Sequence, residues 1–209
     1  MIKSIGETDQ EIISNILKLH CNGKDIELDV TYSTGGFYKN GLIKKPTYKF
    51  DINPQSEEVQ KGNAENLPLE NESFETIICD LPFLATTGKS LEGTDNNNSI
   101  NKRFSVYPDE ITLHKSYQNV LSELYRICKT DGILIFKCQD KVSSSKQYFS
   151  HCFVYQKAIE SGWYPKDLFI LLAKNRIVAN WQKDDQKHAR KFHCYYWVFQ
   201  KNDKKIKYT

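Results

Sequence analysis

The chain has one methionine and six prolines in 209 residues. No apolar run approaches the roughly 18 residues that a membrane-crossing helix needs. It opens without the basic-then-apolar pattern of a secretory leader, and it contains no internal repeat. The expectation is therefore a soluble, cytoplasmic protein with no membrane partner. The six cysteines (Cys21, Cys79, Cys128, Cys138, Cys152 and Cys194) form no CxxC pair. That spacing suits neither a zinc site nor a disulfide framework, and runs such as IICD and ILIFKC predict reduced, mostly buried thiols. No GxGxxG follows the first apolar strand, which argues against a nicotinamide-dependent oxidoreductase.

What is present suits one packed domain spanning 1–209. Hydrophobic residues make up 39% and aromatics 12%, enough for a core and too much for disorder. The net charge of +3 is unevenly spread. Residues 174–209 carry ten Lys/Arg against three Asp/Glu, so the remainder is acidic. A basic end on an acidic body is compatible with a polyanion at one edge, although KNDKKIKYT reads equally well as a solvated tail.

Helical and strand-like patterns alternate, the mark of an α/β domain with a mostly parallel sheet. ETDQEIISNILKLH places Ile12, Ile13, Ile16 and Leu17 on one helical face behind a Thr/Asp cap. DIELDV, TYKFDI, TIICDLPF and GILIFKCQ read as strands. ITLHKSYQNVLSELYRICK reads as a helix stopped at Thr130-Asp131-Gly132, and HCFVYQKAIESG as another. KDLFILLAK and HCYYWVFQK follow with no helix between them, predicting a terminal antiparallel hairpin. Residues 84–108 and 175–191 are polar loops long enough to be functional.

Four stretches can carry chemistry. Asp80-Leu81-Pro82-Phe83 ends an apolar strand, where ligands bind in open α/β sheets. There the Asp80 carboxylate and the Leu81 carbonyl can accept two hydrogen bonds from an amine, and the Phe83 ring can stack on a planar base. A strand end with an ordinary turn proline would look the same. Asp29 and the following Thr31-Tyr32-Ser33-Thr34-Gly35-Gly36 allow close backbone approach to a ligand, or simply a tight turn. Asp51 ends a strand some twenty residues on, where an acidic side chain can bind ribose hydroxyls. Gly62-Asn63-Ala64-Glu65-Asn66-Leu67-Pro68 puts a polar edge at Asn63. The order and spacing of these stretches are harder to dismiss than any one of them.

The succession of DxxxxxGG, the acidic strand end, GNAENLPLENESFETIICDLPF and ELYRICKTDGILIFKCQD resembles the class I S-adenosylmethionine-dependent methyltransferases, over about residues 25–200. Within them it is most similar to the DNA amino-methyltransferases, whose signature is Asp-Pro-Pro-Tyr/Phe. The resemblance implies a Rossmann-like, mostly parallel seven-stranded sheet. S-adenosyl-L-methionine would lie across the strand tips, and no metal would be required. Asp29 with Thr31, Thr34, Gly35 and Gly36 would bracket its methionine part, Asp51 its ribose, and Asn63 with Ala64 its adenine. Asp80, Leu81, Pro82 and Phe83 would form the catalytic grip on an exocyclic amine of a flipped base.

Three departures stand out: Leu81 replaces the first proline, Ser33 replaces a usual glycine, and the connection 37–47 is too short for a full crossover helix, predicting a shortened helix or an extended loop. QKHARKFHCYYWVF also resembles the terminal hairpin of small phage-type and bacterial DNA methyltransferases. Lys102, Arg103 and Phe104 in the first long loop, and Arg176, Lys187, His188, Arg190 and Lys191 in the second, are candidates for nucleic-acid contact. DNA is favoured over RNA and adenine over cytosine. A small planar amine as substrate, or a catalytically inactive nucleic-acid-binding subunit, remain the alternatives. Specificity would come from these loops, or from a partner subunit or homodimer.

Overall fold

A computed structural model of the chain describes residues 1–83, 107–143, 145–174 and 188–202. In chain order its elements are β1 (Ile5–Gly6), α1 (Asp9–His20), β2 (Leu28–Asp29), β3 (Tyr48–Asp51), β4 (Gln60–Lys61), β5 (Phe74–Asp80), α2 (Glu110–Ile127), β6 (Cys128–Cys138), β7 (Lys141–Ser143), β8 (Lys146–Tyr148), α3 (Ser150–Glu160), β9 (Trp163–Leu172) and β10 (His193–Lys201). Among the described residues eight strands form one sheet in the order β1-β9-β10-β6-β5-β2-β3-β4, and β7 pairs with β8 apart from it. Every neighbouring pair in the large sheet is parallel except the two that involve β10. The α/β sheet with its terminal antiparallel hairpin is thus present. Its eighth strand is the two-residue β1, which extends the expected seven along the outer edge of β9.

Strand alternation divides the core into two layers. Ile77 on β5 and Leu134 and Phe136 on β6 face Leu113, Tyr117, Val120, Leu121 and Leu124 of α2. Ile78, Ile133 and Ile135 face the other way, toward Ile12, Ile13 and Ile16 of α1. Thr8 caps α1 by accepting a hydrogen bond from the Glu11 amide at 3.2 Å, and Asp109 caps α2 through the Thr112 amide at 2.6 Å. The crossover between β2 and β3 holds a single 3-10 turn, Gly36–Tyr38. Its place over the sheet is filled by buried Tyr32, stacked on Tyr38 at 5.4 Å, with Ile43 and Val59. Aromatic side chains do there what an apolar helix face does elsewhere.

One expectation fails at the end of α2. The helix stops at Ile127, and Cys128–Gly132 already belongs to β6, with a register shift between Phe74 and Thr76 and Asp131 in the left-handed region at φ 63°. Gly132 is not a helix stop. A Cβ there would lie 2.6 Å from Cys128 Sγ and 2.8 Å from the Lys129 carbonyl oxygen, so glycine permits the bend within the strand. Five of the six free cysteines are buried, and Cys152 is exposed. No helix among the described residues is long and apolar enough to cross a membrane.

Candidate active site

Parallel pairing brings the ends of β2, β3, β5 and β6 to one edge of the sheet. Asp29 stands opposite Ile78, and Asp80 opposite Lys137. Because β10 runs antiparallel, with Tyr195 opposite Cys138, its first residues arrive at this same edge. Here lies a narrow cleft at the strand tips, where ligands bind in open α/β sheets. One wall is Thr31, Ser33 and Asp51, a second is Asn63 and Ala64, and the third is Asp80, Leu81 and Pro82. Residues from all four motif stretches therefore meet around one space.

The loop after β2 is held from below. Asp29 is 1% exposed; one of its oxygens accepts from the Thr31 amide at 2.9 Å and the other from the Tyr38 hydroxyl at 2.7 Å. Burial pushes its carboxyl up to about 7, against hydrogen bonds from Thr31 and Tyr38 that pull the other way. Asp29 thus lies under the loop as its anchor and is not on the cleft wall. Asp51, at 7% exposure, pins the loop from β3 by accepting from the Ser33 amide at 2.8 Å and the Asn53 amide at 2.8 Å. Ser33 sits at φ 50° and Gly35 at φ 67°. Such a backbone is strained for serine and relaxed for glycine. Ser33 Oγ is buried with no hydrogen-bond partner among the described residues. Thr34 and Gly35 line an adjoining polar depression with Lys39, Lys45 and Glu58, and Gly36 opens the 3-10 turn. Asn63 Oδ1 accepts from the Glu65 amide at 3.0 Å, which turns the chain beneath the cleft.

The Asp80–Phe83 segment is braced at both ends. The Asp80 amide donates to Thr31 Oγ1 at 2.7 Å, coupling it to the loop. Asp80 Oδ2 lies 3.1 Å from Lys137 Nζ, and Lys137 reaches Asp9 Oδ1 at 3.0 Å, where the Tyr196 hydroxyl also donates. Burial raises the Asp80 carboxyl, while Lys137 lowers it. Burial alone would pull the Lys137 ammonium down, but Asp80 and Asp9 more than reverse this, and its pKa stands above the ordinary value. At the far end, Lys141 donates to the Phe83 carbonyl and lies 2.9 Å from Glu110 Oε1. The Leu81 side chain is buried in the α2 layer, and Phe83 packs on the α1 side. A third group stands at the same rim. Asp140, 2% exposed, accepts from His151 Nδ1 at 2.8 Å, and the His151 ring stacks on Tyr195 at 4.2 Å.

Sequence reasoning missed Lys137, Asp9, Lys141 and the Asp140–His151 pair. Lys137 left a signal: a charge inside the apolar run ILIFKC, at a position the sheet buries to 8% exposure. Of the candidate nucleic-acid residues, His188, Arg190 and Lys191 lie in the segment that enters β10 at this edge. Lys102, Arg103, Phe104, Arg176 and Lys187 lie outside the described residues. No group of three or more His, Cys, Asp or Glu among the described residues could hold a metal ion.

No protein-family model matches the sequence, and no curated protein matches it. Solved structures do. A candidate sarcosine dimethylglycine methyltransferase from Galdieria sulphuraria aligns with a TM-score of 0.57 at 14% identity, over 93% of this chain and 85% of that one. A candidate methyltransferase from Bacillus halodurans C-125 aligns with a TM-score of 0.54 at 12% identity, over 93% of this chain and 99% of that one. A candidate DNA modification methylase from Thermus thermophilus is 13% identical with a TM-score of 0.46 over 78% of this chain, which spans only 57% of that protein's length. With its strand order and terminal hairpin, the chain has the fold of the class I S-adenosylmethionine-dependent methyltransferases.

Proposed function

We propose that the chain transfers a methyl group from S-adenosylmethionine to an exocyclic amine of a nucleic-acid base, with adenine in DNA as the favoured target. The observation that carries this reading is the meeting of Asp80, Leu81 and Pro82 with Thr31, Ser33, Asp51 and Asn63 around one cleft at the strand tips. The residues present fit the cofactor. Asp51 offers a carboxylate for ribose hydroxyls, Asn63 a polar edge for adenine, and the buried Ser33 hydroxyl has no partner among the described residues. S-adenosylmethionine, when bound, supplies a methyl group already activated on sulfur.

The chain's own residues then supply geometry. With Oδ2 occupied by Lys137, the Asp80 carboxylate keeps lone pairs for one N–H of the amine, and the Leu81 carbonyl takes the other. Holding both hydrogens aims the nitrogen lone pair at the methyl group, which is positional catalysis. Phe83 packs on the α1 side beside Lys137 and supports the grip from behind. A base paired in a duplex hides this amine, so the target is flipped out or single-stranded. His188, Arg190 and Lys191, entering β10 at the same edge, are suited to the phosphates beside it.

Asp80→Ala tests the assignment. Labelled-methyl transfer to unmethylated DNA is expected to be lost and cofactor affinity to stay within a few-fold of wild type. The melting temperature should fall modestly, because Lys137 keeps only Asp9 as a carboxylate partner among the described residues. Transfer at the wild-type rate by this variant would remove Asp80 from the reaction.

A further inference from the structure

We propose that Lys137 is the positioning residue of this site, holding Asp80 as an oriented carboxylate between the sheet and the first turn of α1. The inference rests on reading Asp80 as the acceptor of the substrate amine. Its basis is the register of three strands. Ile78, Ile135 and Val198 stand opposite one another across β5, β6 and β10 on the α1 side. Two residues nearer the cleft on the same face, the row reads Asp80, Lys137, Tyr196. An apolar row gives way to a charged one at the point where the sheet meets the site.

This arrangement does more than neutralise a buried carboxylate. Lys137 is 8% exposed, and its ammonium is shared between Asp80 at 3.1 Å and Asp9 at 3.0 Å. It is ringed by Phe37, Phe83 and Tyr196, whose centroids lie 5.2, 5.7 and 5.5 Å away. Aromatic faces favour a cation there and leave it little room to turn. Two carboxylates and one ammonium carry a net charge of −1, which complements a cationic methyl donor. Asp80 keeps 24% of its side chain exposed, and unlike Lys137 it lines the cleft. Lys137 therefore acts through Asp80 without touching the substrate.

Among the described residues, the ionisable groups around Asp80 are Asp9 on α1, Asp29 on β2, Cys79 on β5, Tyr117 on α2, Lys137 and Cys138 on β6, and Tyr196 on β10. Among them Lys137 is the group that favours the carboxylate, and Asp9 opposes it. Removing Lys137 raises the pH at which Asp80 loses its proton. A function that needs the carboxylate is then depressed at neutral pH and returns as the pH rises.

The test combines two readouts on the full chain: the carboxyl-carbon NMR titration of Asp80, assigned with Asp80→Asn, and methyl-transfer rate against pH. In Lys137→Met the Asp80 midpoint is expected to move up, with transfer at pH 7 reduced about 100-fold and recovering toward pH 9. Lys137→Arg is expected to retain most of the rate. If Lys137→Met fails to fold, Asp9→Asn decides. It leaves Lys137 to Asp80 alone and is expected to move the Asp80 midpoint down. An unmoved midpoint in both variants, or a loss of transfer equal at every pH, would overturn the proposal. Shifted midpoints in a protein that methylates no amine would leave Lys137 in place and bring down the amine-methylation reading instead.

Discussion

Asp29 makes the stability of this fold depend on pH in a direction opposite to that of most surface carboxylates. It is 1% exposed, and burial takes its pKa from an ordinary 3.8 to about 7. Folding therefore takes up a proton throughout that window. The stability linked to this proton is fully present below pH 3.8 and is lost as pH rises through about 7. Each pH unit between the two values is worth about 1.4 kcal/mol, so the whole window amounts to roughly 4 kcal/mol and the part above pH 5 to about 3 kcal/mol. Asp29→Asn removes the titration and keeps an oxygen for one of its two donors, the Thr31 amide and the Tyr38 hydroxyl. Relative to wild type with Asp29 protonated, the variant should lose about 1–2 kcal/mol from the poorer hydrogen bonding. Urea unfolding of both proteins between pH 5 and pH 8 isolates the effect, since titrations not coupled to Asp29 cancel in the difference. The two proteins should be about equally stable near pH 5, and the variant should lead by about 3 kcal/mol at pH 8. A stability difference that stays flat across this range would refute the reasoning.

Three further outcomes follow from the cleft and its supports. Gly35→Ala should cost about 1–2 kcal/mol, because its φ is 67° and the new Cβ would lie 2.7 Å from the Tyr32 hydroxyl oxygen; thermal melting measures it. Glu123→Ala should cost about 3 kcal/mol in urea unfolding, since Glu123 is 9% exposed, accepts from the Leu67 amide at 2.8 Å and pairs with Arg126 at 2.6 Å. Asp51→Ala should weaken S-adenosylmethionine binding about tenfold or more by calorimetry. Its melting temperature should also fall, because Ser33 and Asn53 lose their acceptor.

Much of the fold was legible because strand and helix patterns are local. ILIFKC and IICD alternate between two buried layers, and α1 presents Ile12, Ile13 and Ile16 at helical spacing. The short connection after Gly36 was legible too, since eleven polar-rich residues cannot make a crossover helix, and a 3-10 turn stands there. The end of α2 was misread because Thr130-Asp131-Gly132 has the composition of a helix stop. A glycine needed for a bend within a strand carries the same letter. At the site, each motif was visible alone, but the partners that fix it are distant in sequence. Lys137 meets Asp80 across two strands and Asp9 across 128 positions, a relation only the sheet register reveals. The inward turn of Asp29 was hidden for a similar reason, because it depends on Tyr38 taking the place of a crossover helix.

Methyl transfer to a base amine is measured most directly by supplying labelled S-adenosylmethionine with unmethylated duplex DNA, single-stranded DNA or RNA, followed by nucleoside analysis of each polymer. Label is expected in an N-methylated base, with methyladenine of DNA foremost. Label in methylcytosine or in RNA would keep the chemistry and change the target. Cofactor binding without label in any polymer would rule out methyl transfer to a nucleic-acid base.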